Sequence, residues 1–262
     1  MLVFAAFTPH TPLLISTIGK DNLETISETA ASMNSLAEEL YLSRPDTIVL
    51  VSGHSKFYPN AFSIQLNDVF KTDLSKLGDL GAEKTYQPDF ALIDTFQRQL
   101  RKAEIPFTLH PDEILDYGVS VPLMLLTEKF DQIKIVPVSP SLLNAKEHFA
   151  FGQALKETII SSTKRIAVIA AGDLSHALTN ESPAGFHSEG EIFDKKIQEI
   201  LATNNAAGLI KIKPEVVEAA AQCCYRALLV LFGILDKQNI NTKILSYEAP
   251  LGVGYLTAKF NL

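Results

Sequence analysis

The sequence predicts an α/β fold: a single domain over residues 1–262 with a central, mostly parallel β-sheet, flanking helices and a C-terminal antiparallel hairpin. Three observations carry that expectation. Short apolar runs alternate with helix-length amphipathic stretches, the pattern of parallel strands joined by crossover helices. The runs 47–51 and 166–171 are apolar at nearly every position, as strands buried on both faces must be. The last two runs are separated only by Glu248-Ala-Pro-Leu-Gly-Val253, a short Pro- and Gly-containing connection suited to a hairpin.

Taken in order, strands are expected at 2–7, 47–51, 62–66, 133–138, 165–171, 242–247 and 254–259. Helices are expected at 21–42, 88–102, 120–128, 145–162, 189–202 and 215–235. The first helix is placed from Asp21 because Asp21 and Glu24 have capping-box spacing ahead of the stripe Leu23, Ile26, Ala30, Met33, Leu36 and Leu40. No Ser/Gly linker, charge block or internal repeat divides the chain, which is why one domain is expected.

Composition narrows the functional classes. Apolar residues make up 47% of the 262 and charged residues 20%, ample for a core. Lys and Arg total 23 against 30 Asp and Glu, a formal charge of −7, which argues against nucleic acid or an anionic membrane as partner. The apolar N-terminus lacks a basic flank, so no targeting segment is expected. The longest uninterrupted apolar run, 227–235, falls far short of the ~20 residues of a membrane span. The two cysteines, Cys223 and Cys224, are adjacent. Neighbouring Cα atoms are about 3.8 Å apart, less than a usual disulfide spans, so a disulfide framework is excluded and a cytoplasmic setting expected.

The chemistry concentrates at strand ends. Three of the six histidines follow predicted strands directly: His10 after the first, His54 after 47–51 and His176 after 165–171. Ligands of open α/β sheets bind outside the carboxyl ends of the strands, and ends on one edge converge. A single loop histidine is commonly just solvated, but three at such positions point to a shared site. Imidazole suits Fe, Zn, Cu or Ni, and two histidines with a carboxylate make the open site of non-haem Fe(II) oxygenases. His110, His148 and His187 lack that placement; His148, at a helix start, is expected at the surface. The cysteine pair has two open readings. Free cysteines commonly pack in cores, whereas a thiolate at a helix start is a soft metal ligand. No P-loop, G-x-G-x-x-G, G-x-S-x-G or H-E-x-x-H pattern is present.

Four segments carry a resemblance: Phe7-Thr-Pro-His-Thr-Pro-Leu-Leu14, Pro45-Asp-Thr-Ile-Val-Leu-Val-Ser-Gly-His54, Leu115-Asp-Tyr-Gly-Val-Ser-Val-Pro-Leu123 and Gly172-Asp-Leu-Ser-His176. Together, in this order, they resemble the class III extradiol ring-cleavage dioxygenase superfamily. Gln222-Cys-Cys-Tyr-Arg-Ala-Leu-Leu229 and Tyr247-Glu-Ala-Pro-Leu-Gly-Val-Gly-Tyr255 most resemble its Memo-like branch, the AmmeMemoRadiSam system protein B type. The resemblance implies a metal pocket at one sheet edge, with Fe(II) the expected ion and Cu or Zn the alternatives. His10 and His54 carry over as metal ligands, His176 as the acid/base group with Asp173 beside it, and Asp116 and Tyr117 as substrate-binding positions. The third ligand departs from the ring-cleaving pattern: Cys223 stands where those enzymes have glutamate, as in Memo-like proteins. On a continuous helix Glu218 would lie about 140° away from Cys223, so the two could not readily share an ion. Tyr117 stands where ring-cleaving members often have a histidine, and a phenol titrating near 10 cannot shuttle protons at neutral pH.

Three readings follow. The first is a metal-dependent dioxygenase-type oxidoreductase acting on a small catecholic or related aromatic substrate. The second is a Memo-like metal-binding protein without ring cleavage, acting with radical-SAM and AMMECR-domain partners. The third is a degenerate fold that binds no metal. A homodimer is the expectation for a cytoplasmic α/β domain.

Overall fold

The computed structural model describes residues 1–54, 56–81 and 83–262. The strands are β1 (Leu2–Thr8), β2 (Thr47–Ser52), β3 (Phe62–Gln65), β4 (Phe70–Thr72), β5 (Thr85–Pro88), β6 (Phe107–His110), β7 (Ile114–Leu115), β8 (Lys134–Ser139), β9 (Ile166–Ala171), β10 (Asn241–Glu248) and β11 (Tyr255–Asn261). The helices are α1 (Ser16–Gly19), α2 (Asn22–Thr25), α3 (Ser27–Leu42), α4 (Phe90–Lys102), α5 (Tyr117–Leu126), α6 (Ala145–Ser161), α7 (Ser188–Thr203), α8 (Ala206–Ile210), α9 (Pro214–Ala219) and α10 (Tyr225–Ile234). All seven expected strands are present. The short β4, β5, β6 and β7 lack the length that makes alternation readable in sequence.

The sheet runs β10-β11-β1-β9-β2-β8-β5-β4-β7, with β3 beside β8 and β6 beside β3. Its centre is parallel, β1 with β9, β9 with β2 and β2 with β8, while β10 and β11 form the antiparallel C-terminal pair. The three central strands end together, since Ala171 lies opposite both Thr8 and Ser52. That shared register sets three loops side by side at one sheet edge.

Burial on both faces explains the apolar strands. Along β9, Ile166, Val168 and Ala170 join one core cluster, and Ala167, Ile169 and Ala171 join the other, on the opposite face. The first cluster packs under α6, α7 and α10, the second under α3 and α5. α6 and α10 approach at Gly152 and Gly233; a Cβ on Gly233 would stand 2.2 Å from the Phe149 carbonyl. That close approach packs the C-terminal half of α10, which begins immediately after the cysteine pair, against α6.

Three sequence expectations change. The helix expected over 215–235 is broken between Ala219 and Tyr225. Ala220 O accepts from His176 N (2.9 Å) and Ser175 Oγ (3.1 Å), and Cys223 N donates to Asp173 O (3.2 Å). These contacts to the loop after β9 replace part of the helix ladder. The capping box at Asp21 does not form. Asp21 makes no side-chain cap, and the chain turns at Ile26 (φ −119°), whose side chain is fully buried, before α3 starts at Ser27. His148 is fully buried rather than at the surface: Nδ1 lies 2.9 Å from Asn144 O, Nε2 accepts from Ser141 N, and the ring meets Phe62 edge-on.

Asp194 on α7 joins the C-terminal pair to the loop after β9. Its carboxylate accepts from Ser175 N (2.8 Å) and from the Tyr247 hydroxyl (2.8 Å). Burial nonetheless raises its pKa from 3.8 to about 6. The folded state therefore holds this proton where the unfolded chain has lost it, and stability falls as pH rises between these values. A carboxyl moved that far costs about 3 kcal/mol above pH 6 and nothing below its unfolded pKa. Asp194→Asn is expected to gain about that much relative to wild type between pH 4 and pH 7, read from urea unfolding at each pH; a difference flat in pH contradicts the assignment.

Candidate metal centre

The site is built from the edge where β1, β9 and β2 end. Two residues beyond β1 the chain reaches His10, and two beyond β2 it reaches His54; Asp173 and His176 lie in the loop after β9. The segment between α9 and α10 brings Cys223 across. His10 Nε2 lies 3.1 Å from His54 Nε2 and 3.1 Å from Cys223 Sγ. A second group, Asp173, His176 and Cys223, also has its donor atoms within 4.8 Å of one another. The five residues thus share one cluster, with Cys223 common to both groups.

The backbone holds this cluster together. Asp173 N donates to Cys223 Sγ (3.2 Å) while Cys223 N donates to Asp173 O (3.2 Å), a reciprocal pair across the two loops. Asp173 Oδ1 accepts from His10 N at 2.9 Å, tying the loop after β1 to the same point. Ala221 takes φ +49°, a left-handed conformation that costs a residue with a Cβ on the order of 1 kcal/mol. Two glycines make room. A Cβ on Gly172 would stand 2.4 Å from Cys224 Cα, and one on Gly53 would stand 3.0 Å from the Cys223 carbonyl. Cys224 itself is fully buried in the core beneath α10.

Tyr117, the first residue of α5, sets its hydroxyl 3.0 Å from His54 Nε2 with the rings 4.5 Å apart. Asp116 is the N-cap of α5, its carboxylate accepting from Val119 N (3.2 Å). It also lines a cleft of about 220 Å³ with His54, Lys56 and His110. Nothing in the sequence pattern selects His110, because β6 reaches the site only through its parallel pairing with β3. His110 is 2% exposed; Nδ1 lies 3.2 Å from Asp112 Oδ2, and Nε2 has no partner among the described residues. His187, by contrast, is exposed and pairs with Glu189 at 2.7 Å. A larger hollow of about 830 Å³ lies at the opposite sheet edge, beside Thr47 and Lys134 where β2 and β8 start, away from this cluster.

Burial dominates the electrostatics. It pushes the His10 pKa well below the ordinary value, with the His54 and His176 charges adding to the effect. His54 and His176 are lowered chiefly by the same desolvation. Asp173 moves up to about 7, held back by the backbone N–H groups of His10 and Thr11. Desolvation, aided by Asp173, pushes the Cys223 thiol up, and burial raises the Tyr117 phenol. The cluster alone therefore favours its neutral forms. A cation reverses that preference, because thiolate and imidazole ligands bind metal in their deprotonated states.

The donor set fits a transition metal. Donor atoms 3.1 Å apart approach the ~3.3 Å edge of a tetrahedron with metal–nitrogen bonds of about 2.0–2.1 Å. Among the described residues His10 Nδ1 and His176 Nδ1 are buried without hydrogen-bond partners, so these contacts do not fully satisfy the rings. His10, His54 and Cys223 are the residues that would hold the ion, with Asp173 and His176 flanking it.

An α/β sheet with an imidazole–thiol cluster at the carboxyl ends of parallel strands defines a class of candidate metalloprotein. The chain belongs to the family of the catalytic LigB subunit of aromatic ring-opening dioxygenases, which it matches over residues 4–258. It is 26% identical over 256 residues to protein CA_C1420 of Clostridium acetobutylicum, covering 94% of this chain and 55% of that protein. It is 24% identical over 165 residues to the 2-aminophenol 1,6-dioxygenase beta subunit of a Pseudomonas species, covering 56% of this chain and 54% of that one. The chain thus spans about half the length of these curated relatives. In fold it is similar to the crystal structure of uncharacterized protein JW3007 from Escherichia coli K12, with TM-score 0.64 and 21% identity, covering 98% of this chain and 99% of that one.

The glycine at the end of β9 gives a direct test of how Cys223 is placed. In Gly172→Ala the new Cβ meets Cys224 backbone, which cannot rotate away. The substitution is expected to destabilise by about 2–3 kcal/mol and to lower metal retention, read by thermal unfolding and elemental analysis. Wild-type values in both would show that the two loops do not depend on this contact.

Proposed function

We propose that the chain is a metal-dependent oxidoreductase of the extradiol dioxygenase type, using non-haem Fe(II) and a small catecholic or related aromatic substrate. The observation that carries this reading is the convergence of His10 Nε2, His54 Nε2 and Cys223 Sγ beside His176. Family membership supports it, and so does the name of the aminophenol-cleaving relative. Iron held there would supply the redox chemistry that couples an electron-rich ring to dioxygen.

The chain's own residues do the rest. His176, kept neutral by its half-buried setting, accepts the proton of a substrate hydroxyl and returns it later to an oxygen leaving group. Asp173 anchors the loop that carries His176, through its bonds to His10 N and to the Cys223 backbone. Tyr117 keeps its proton at neutral pH, so with His54 Nε2 turned to a metal its hydroxyl would donate a hydrogen bond to the substrate rather than shuttle protons. Asp116 holds the start of α5, and hence Tyr117, in place.

One observation favours a second reading. The third donor is a thiol, softer than the carboxylate of ring-cleaving members and better suited to Cu or Zn. In that reading the chain holds metal without opening rings and works with radical-SAM and AMMECR-domain partners, as the Memo-like resemblance implies.

Anaerobic loading with Fe(II), followed by catechols and 2-aminophenols under oxygen, separates the two. The proposal predicts coloured ring-opened products, lost by a factor of about 10²–10⁴ in His176→Ala with metal retained. No product across the panel, with iron bound, would overturn ring opening and leave the second reading. Cys223→Ala is expected to lose bound metal under either; unchanged metal content in that variant would remove Cys223 from the ligand set.

A further inference from the structure

Beside the cluster lies a surface that the ring chemistry leaves unused. A small cleft of about 190 Å³ opens over Cys223, lined by Gly53, Phe57, Leu142, Gln222 and Arg226. Gln222 and Arg226 also line a second cleft, of about 780 Å³, between the start of α6 and the segment from Ile210 to Leu229. The two clefts therefore adjoin, and the larger has the volume of a site for a sizeable small molecule.

The larger cleft is cationic in a chain whose net charge is −7. Lys146, Lys211, Lys213 and Arg226 line it against a single carboxylate, Glu218. None of these four cations forms an ion pair or a side-chain hydrogen bond among the described residues, and only the Glu218 charge acts on Arg226. Arg226 lies over the Phe57 ring, 5.7 Å from its centroid, and this platform holds the guanidinium at the junction of the two clefts. It stands in the first turn of α10, where the helix dipole also favours an anion. Ile212, Val217 and Leu229 give the cleft an apolar wall.

We propose that this second cleft binds the anionic group, a carboxylate or a phosphate, of an extended substrate whose other end reaches the His10–His54–Cys223 cluster. Arg226 pairs with the anion where the clefts join, Lys211 and Lys213 neutralise it from the rim, and the apolar wall takes the stem. The position of the ring end rests on the reading given above; the anion site does not.

Isothermal titration of the metal-loaded protein with 1-naphthyl phosphate, 1-naphthylacetate and the neutral 1-naphthylacetamide tests the site without turnover. At low salt at least one of the anions is expected to bind about ten-fold or more tightly than the amide, as a charge-assisted contact provides. Which anion binds more tightly distinguishes phosphate from carboxylate. The preference is expected to fall below about three-fold in Arg226→Ala and in the double variant Lys211→Ala with Lys213→Ala, and to weaken with added salt. Amide binding equal to both anions, or a preference intact in both variants, overturns the proposal. The same titration on Cys223→Ala keeps the two readings apart: anion preference retained there supports the cleft whatever the outcome for ring opening, and preference lost there contradicts an anion site independent of the metal.

Discussion

Everything at this centre depends on one backbone junction, where the loop after β9 is laced to the segment between α9 and α10. His176 N and Ser175 Oγ bond to Ala220 O, and Asp173 and Cys223 exchange backbone and thiol contacts. Without that junction the sheet edge would present His10, His54, Asp173 and His176 but no thiol. With it, residues more than two hundred positions apart in the chain, His10 and Cys223, lie in contact. The left-handed backbone at Ala221 and the absence of a side chain at Gly172 are the local costs of bringing the two segments this close.

The same junction buries His10 and Asp173 and half-buries the rest, and this gives the cluster its electrostatic character. Burial pushes imidazoles down and carboxyl and thiol up, so the unliganded cluster is a set of neutral groups crowded together. A divalent cation is the charge that best converts such a set into ligands. His176 and Tyr117 stand on either side of it with different capacities. A neutral imidazole can take up a proton and release it, whereas a buried phenol can only hold one.

Much of this was legible in the sequence, for stated reasons. The almost wholly apolar β2 and β9 announced a buried parallel sheet, and the histidines in the loops after them announced its functional edge. Where the reading failed, a long-range contact had overridden a local pattern. The apolar stretch 215–235 has helical periodicity throughout, yet its middle is claimed by the loop after β9. Asp21 and Glu24 have capping spacing, but the buried side chain of Ile26 dictates where the helix starts. His148 looked like a surface residue because its burial depends on Phe62, far away in sequence. His110 and Arg226 carried no signal at all, since their places at the site follow from strand pairing and from the break before α10.

The most direct measurement of the central claim is the X-ray absorption spectrum of the protein reconstituted with its metal, Zn(II) serving as well as Fe(II). The account predicts a single sulfur scatterer at about 2.3 Å together with nitrogen at about 2.0–2.1 Å for zinc, the sulfur feature vanishing in Cys223→Ala. A first shell of nitrogen and oxygen alone in the wild-type protein would contradict it, and would mean that Cys223 closes the two loops together without binding the ion.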